Sequence, residues 1–122
     1  MKKILYSLMA AVVALASVGC TAPASQQNEV RVISYNIRYM NDKDGDNSWK
    51  FRKQASINMV NEEQPTVFGL QEAVKAQVDF LQENLPDYGH YGVGRDDGKE
   101  KGEFMAIFYK KEAVELLDHG TF

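Results

Sequence analysis

The chain has 122 residues, 14 basic against 17 acidic, a formal net charge of −3 and one cysteine, Cys20. An acidic balance excludes a bulk polyanion binder, so any phosphate chemistry must come from a local site. A lone cysteine excludes a disulfide framework and leaves residues 21–122 without thiol chemistry.

The first stretch, MKKILYSLMAAVVALASVGC, sets Lys2 and Lys3 before an apolar run from Ile4 to Val18. The run is short for a bilayer span but suits the apolar region of a secretory signal. Small residues lead into Cys20, and the segment resembles bacterial lipoprotein signals, in which that cysteine is lipidated. Ser17 stands where such signals more often carry an aliphatic residue. Cleavage after Ala22-Pro23-Ala24 and a plain inner-membrane anchor are the rival readings. Residues 1–19 are thus expected to be a signal peptide and 20–28 a polar tether, with a folded unit over 29–122. Without residues 1–19 the net charge is −5. The expected location is the cell envelope, lipid-anchored, or secreted or periplasmic if cleavage falls elsewhere.

VRVISYNIRY (30–39) is rich in β-branched and aromatic residues and predicts a strand. The loop after it, DKDGDNSWKFRK (42–53), opens like a calcium loop through Asp42, Asp44 and Asp46. Such a loop needs glycine at its sixth position and a bidentate glutamate at its twelfth. Here those positions hold Asn47 and Lys53, and a strand rather than a helix precedes them. A solvated loop is the better reading. Ser48 is positioned to cap a helix from Trp49 to Glu63, with Trp49, Ile57 and Val60 near one face.

Pro65 ends that helix, and TVFGLQE (66–72) predicts a second buried strand. A helix follows over 73–84, with Val74, Val78 and Leu81 at helical spacing, and Pro86 stops it. DYGHYGVG (87–94), EFMAIFYKK (103–111) and AVELLDHGTF (113–122) predict three further strands. The order predicts an α/β or α+β sandwich with its helices outside.

Two polar residues interrupt apolar strand ends: Asn36 in SYNIRY and Glu72 in VFGLQE. A buried unpaired carboxylate costs several kcal/mol, roughly more than one neighbouring leucine returns. Glu72 must therefore reach water, pair with a cation or ligate a metal. By itself this favours the plain reading that each residue ends its strand at the surface, although ligands also gather at strand ends in open α/β sheets.

SYNIRY, Trp49 and Arg52, Pro65 with VFGLQE, and GVGRDDG…GEFMAIFYKK together resemble the opening half of the endonuclease/exonuclease/phosphatase family. That family includes pancreatic-type deoxyribonucleases, abasic-site endonucleases, bacterial sphingomyelinases and inositol polyphosphate phosphatases. The resemblance runs from Val30 to Phe122, with Thr66 where the family usually has aspartate. It implies part of a four-layer α/β/β/α sandwich, and a Mg²⁺-dependent phosphoesterase in which Mn²⁺ can substitute.

By the same resemblance, Asn36 and Glu72 help hold the divalent ion and the scissile phosphate. Oxygen donors of this kind suit Mg²⁺, which shares substrate phosphate oxygens. Glu103 falls where some members place an acid that orients a catalytic histidine. Arg95 could contact phosphate, although Asp96 and Asp97 beside it are the plainer partners. His90 and His119 fall outside the family's catalytic-histidine context and read as surface or structural. GVGRDDG lacks the spacing and the following helix of a dinucleotide fingerprint.

The family's histidine and its aspartate partner, and the Asp/Asn pair that positions water, come from later motifs. The expectation is therefore an N-terminal part of a larger phosphohydrolase, inactive alone, since acid–base catalysis supplies roughly 10²–10⁴-fold. It should also expose an apolar sheet face that invites aggregation. Expected partners are a phosphate-ester substrate (nucleic acid, phospholipid head group or small phosphate ester) and the membrane through its lipid anchor, with no protein partner. The alternative from another class is a non-catalytic surface lipoprotein that keeps the fold for binding.

Overall fold

The β-branched run after the tether forms strand β1 (Val32–Asn36). The computed structural model describes residues 29–121, so the signal peptide, Cys20 and the tether lie outside the described residues, as does residue 122. β1 is shorter than its predicted span because Arg38 turns into the left-handed region at φ 62° and takes the chain off the sheet. The acidic loop then winds through 3-10 turns at Asp42–Asn47, broken at Gly45 with φ 55° and ψ −126°. Glycine reaches that conformation without steric cost. Asp44 is engaged by Arg38 Nε at 3.1 Å, which ties the loop back to the end of β1.

Helix α1 (Trp49–Glu63) has its predicted limits and buries Trp49, Ile57 and Val60. The expected Ser48 cap is not made. Ser48 occupies the N-cap with extended backbone, but its hydroxyl is turned inward and buried with no hydrogen-bond partner among the described residues. Its carbonyl starts the helix instead, accepting from Phe51 N at 3.0 Å. Ser56, polar and buried, is satisfied by the Tyr35 hydroxyl at 2.8 Å. Gln64 ends the helix at φ 46° ahead of Pro65, with its N–H on Val60 O at 2.9 Å.

Strand β2 (Val67–Gln71) pairs parallel with β1, in register from Val32↔Val67 to Asn36↔Gln71. Helix α2 (Lys75–Asn84) starts two residues later than predicted, because Ala73 is held in a bridge to Phe104. Strands β3 (Tyr88–Tyr91) and β4 (Ile107–Lys110) complete a four-stranded sheet in the order β1-β2-β4-β3. β4 runs antiparallel to both its neighbours, so it returns between two strands that point the same way. The result is a mixed α/β unit with both helices packed into one core.

That core is aromatic at its centre. Phe68 stacks on Phe108 at 4.8 Å and 7° and meets the edge of Tyr88 at 5.5 Å. Ile57 and Val60 of α1 and Val78 and Leu81 of α2 close over them. On the opposite sheet face Val32 and Ile107 are 67% and 51% exposed, and Met105 beside them is 76% exposed.

Among the described residues the predicted fifth strand does not form. After β4 the chain turns, with Ala113 N and Val114 N both donating to Lys110 O. β4 already has a neighbour on each side, so the returning chain finds no free edge there. It crosses the sheet face instead, stacking His119 on Tyr91 at 4.0 Å and leaving Leu116 and Leu117 40% and 87% exposed.

A candidate metal centre at the strand ends

Parallel pairing of β1 and β2 brings their C-terminal ends side by side, and each end carries one of the predicted polar residues. Glu72 alone would follow the strand alternation away from Gln71. Its φ of 58° breaks that alternation and leaves it exposed, on the side where Asn36 also stands. Asn36 Nδ2 donates to Glu72 Oε1 at 2.8 Å. Asn36 Oδ1 accepts from Arg38 N at 2.9 Å, which fixes the amide so that its nitrogen, not its oxygen, faces the carboxylate. Tyr39 N donates to Glu72 Oε2 at 3.3 Å.

These bonds set the charge state. The Asn36 amide, then the Tyr39 N–H, hold the Glu72 carboxyl below its ordinary range. Hydrogen bonds to the ionised form favour it. Glu72 is therefore an ionised, solvent-facing carboxylate with lone pairs to spare.

The donor set is compatible with Mg²⁺, the ion that the resemblance implies. Among the described residues no group of three or more histidine, cysteine, aspartate or glutamate side chains gathers around one point. Mg²⁺ does not need such a cage, because it binds through one or two carboxylates, several waters and substrate phosphate. One preorganised carboxylate beside an amide is compatible with that habit.

The other two predicted residues pair with each other. Arg95 Nη1 donates to Glu103 Oε2 at 2.9 Å, while Asp96 lies farther off at 3.9 Å. Asp96 is thus a partner of Arg95, as expected, with Glu103 the nearer one, while Asp97 is not. Asp97 Oδ1 is occupied by the N–H groups of Lys99, Glu100 and Lys101, which fold the hairpin tip around it. Ala73 bridges Phe104 and Phe104 bridges Gly94, so Glu103 and Arg95 continue across the sheet end that Glu72 begins. Both line an open groove of about 530 Å³ with Tyr91, Met105 and Ile107 along its side.

Neither histidine joins these groups. His90 Nδ1 bonds Gln82 Oε1 at 2.6 Å and its ring stacks on Phe108, a structural placement. His119 stacks on Tyr91.

Two supporting residues escaped the sequence reading. Gln77 is buried in α2 and donates to Arg38 O at 3.0 Å. Its signal was a polar residue at helical spacing among Val74, Val78 and Leu81. Arg52 donates to Ile37 O at 2.8 Å and to Arg38 O at 3.4 Å, and it lies over the Trp49 ring. Its place in the motif was visible, but its task was not.

No protein-family model and no curated protein matches the chain. Solved structures do. An endonuclease/exonuclease/phosphatase from Bacteroides vulgatus is 40% identical with a TM-score of 0.72, over 73% of this chain and 34% of that one. A family protein from Bacteroides thetaiotaomicron is 42% identical with a TM-score of 0.63, over 66% of this chain and 31% of that one. A mannosyl-6-phosphatase from the same species is 41% identical with a TM-score of 0.65, over 69% and 32%. The chain spans about a third of the length of these structures. They share its mixed α/β fold, and together they support a phosphohydrolase family.

Proposed function

We infer that the chain is the N-terminal part of an endonuclease/exonuclease/phosphatase-family enzyme that hydrolyses phosphate esters with the help of Mg²⁺. The observation that carries this reading is the meeting of Asn36 and Glu72 at the ends of adjacent parallel strands. When bound there, the ion would polarise a phosphoryl oxygen and offset charge on the leaving oxygen. Glu72 would hold it, with Mn²⁺ as a substitute. Asn36 would orient the carboxylate and offer the second lone pair of Oδ1 to the ion or its waters. Arg95 would meet a substrate phosphate oxygen, swinging from Glu103, and Glu103 would orient a histidine.

Neither described histidine is placed for proton transfer, so residues 29–121 alone are expected to turn over negligibly. A small sugar phosphate is the first substrate to try, since one similar structure is a mannosyl-6-phosphatase. Lipidation of Cys20 would anchor the enzyme in the cell envelope.

Isothermal titration of Mn²⁺ into the complete protein tests the reading. Glu72→Gln should abolish most of the affinity. Unchanged affinity in that variant would remove the central support and favour a non-catalytic binding module on the same fold.

A further inference from the structure

Behind the Asn36–Glu72 pair, side chains from two helices converge on a single carbonyl. Gln77 of α2 donates from Nε2 to Arg38 O at 3.0 Å, and its Oε1 accepts from Val74 N at 3.1 Å. Arg52 of α1 reaches Arg38 O at 3.4 Å, Ile37 O at 2.8 Å and Asn47 O. Between them Arg38 holds φ at 62°, a conformation that costs a side-chain-bearing residue energy and survives only where its surroundings over-determine it. The same turn aims two amides outward. Arg38 N meets Asn36 Oδ1, and Tyr39 N meets Glu72 Oε2.

Gln77 is fully buried, on a helix face that an apolar residue would fill at no polar cost. The two halves of its amide have separate tasks. The oxygen closes the first turn of α2. The nitrogen leaves its own helix to reach the loop after β1.

We propose that Gln77 is a positioning residue, which through the Arg38 carbonyl fixes the two amides that orient Asn36 and Glu72. This rests on reading that pair as the metal site. Arg52 supports the same carbonyl from α1.

The test uses the full chain, with Mn²⁺ as probe, and reads two quantities: Mn²⁺ affinity by titration and hydrogen-exchange protection of the Tyr39 amide without metal. Gln77→Met keeps the length of the side chain and loses the donor. It should expose the Tyr39 amide to exchange and weaken Mn²⁺ binding by roughly 10- to 100-fold, the usual cost of losing a group that orients a ligand. Leu81→Ala destabilises α2 without touching the loop and should change neither quantity at temperatures where it is folded. Wild-type Tyr39 protection in Gln77→Met, or equal losses in Leu81→Ala, would overturn the proposal. Should Gln77→Met fail to fold, Arg52→Lys serves, since it keeps the charge and loses the fork. It should lose the same protection, and full protection there would overturn the shared clamp. If the wild-type chain binds no Mn²⁺, the metal reading fails, while the Tyr39 amide still reports on Gln77.

Discussion

Arg95 and Glu103 face one another across the hairpin beyond β3, 2.9 Å apart, with side chains 71% and 34% exposed. Exposed pairs of this kind contribute little. Arg95→Ala and Glu103→Ala should each leave unfolding stability within about 1 kcal/mol of wild type, measured in urea. If Arg95 meets substrate phosphate, Arg95→Ala in the complete enzyme should raise KM for a sugar phosphate. Arg95→Lys should rescue it only in part, because a point charge does not reproduce the fork. A larger stability loss would make the pair structural instead.

Ser48 gives a sign that separates sequence expectation from structure. A capping serine replaced by alanine costs about 1 kcal/mol. Here the hydroxyl does not cap α1 and is buried with no partner among the described residues. Removing a buried unsatisfied group relieves its desolvation penalty, so Ser48→Ala should be neutral or should stabilise by about 1 kcal/mol. Urea denaturation of the two proteins decides it, and a loss of the capping size would restore the cap.

What the sequence made legible follows from which forces act locally. α1 kept its limits because Pro65 lies just beyond its end and Ser48 just before its start, both on the chain itself. Asn36 and Glu72 stood out because a polar group at the end of an apolar run must be answered somewhere. Their meeting depended on parallel pairing of strands 35 residues apart, which composition does not encode and which the family resemblance supplied. The 113–122 segment misled because its apolar residues suit a strand, while an available edge is a property of the whole sheet. Gln77 was hidden for the opposite reason. Its partner, the Arg38 carbonyl, is backbone and leaves no trace in side-chain patterns.

Phe68 is the structural link between core and site. It is fully buried, stacked on Phe108, and lies on the strand that leads into Glu72. Phe68→Ala should cost about 3–5 kcal/mol. A domain holds only about 5–15 kcal/mol in total. The variant should therefore be largely unfolded at 37 °C by circular dichroism, with Mn²⁺ binding lost in parallel. A folded variant lacking only metal binding would mean that β2 is held by something other than this stack.

His90 makes stability depend on pH in a definite direction. Burial between Phe108 and Gln82 pushes its imidazole below the ordinary 6.5, outweighing the opposing pull of Asp79, while Lys75 lowers it further. The folded state therefore binds the proton less readily than the unfolded chain. Stability is full above about pH 6.5 and falls as pH drops through that value toward the folded pKa, where the loss levels off. Glu72 and Asp97, both held below their ordinary carboxylate values, titrate under this window and do not contribute to it. Urea midpoints of the wild-type chain should thus decline between pH 7.5 and 5.5. In His90→Phe, which keeps a ring on Phe108, they should stay level. An equal decline in both proteins would assign the effect to another group.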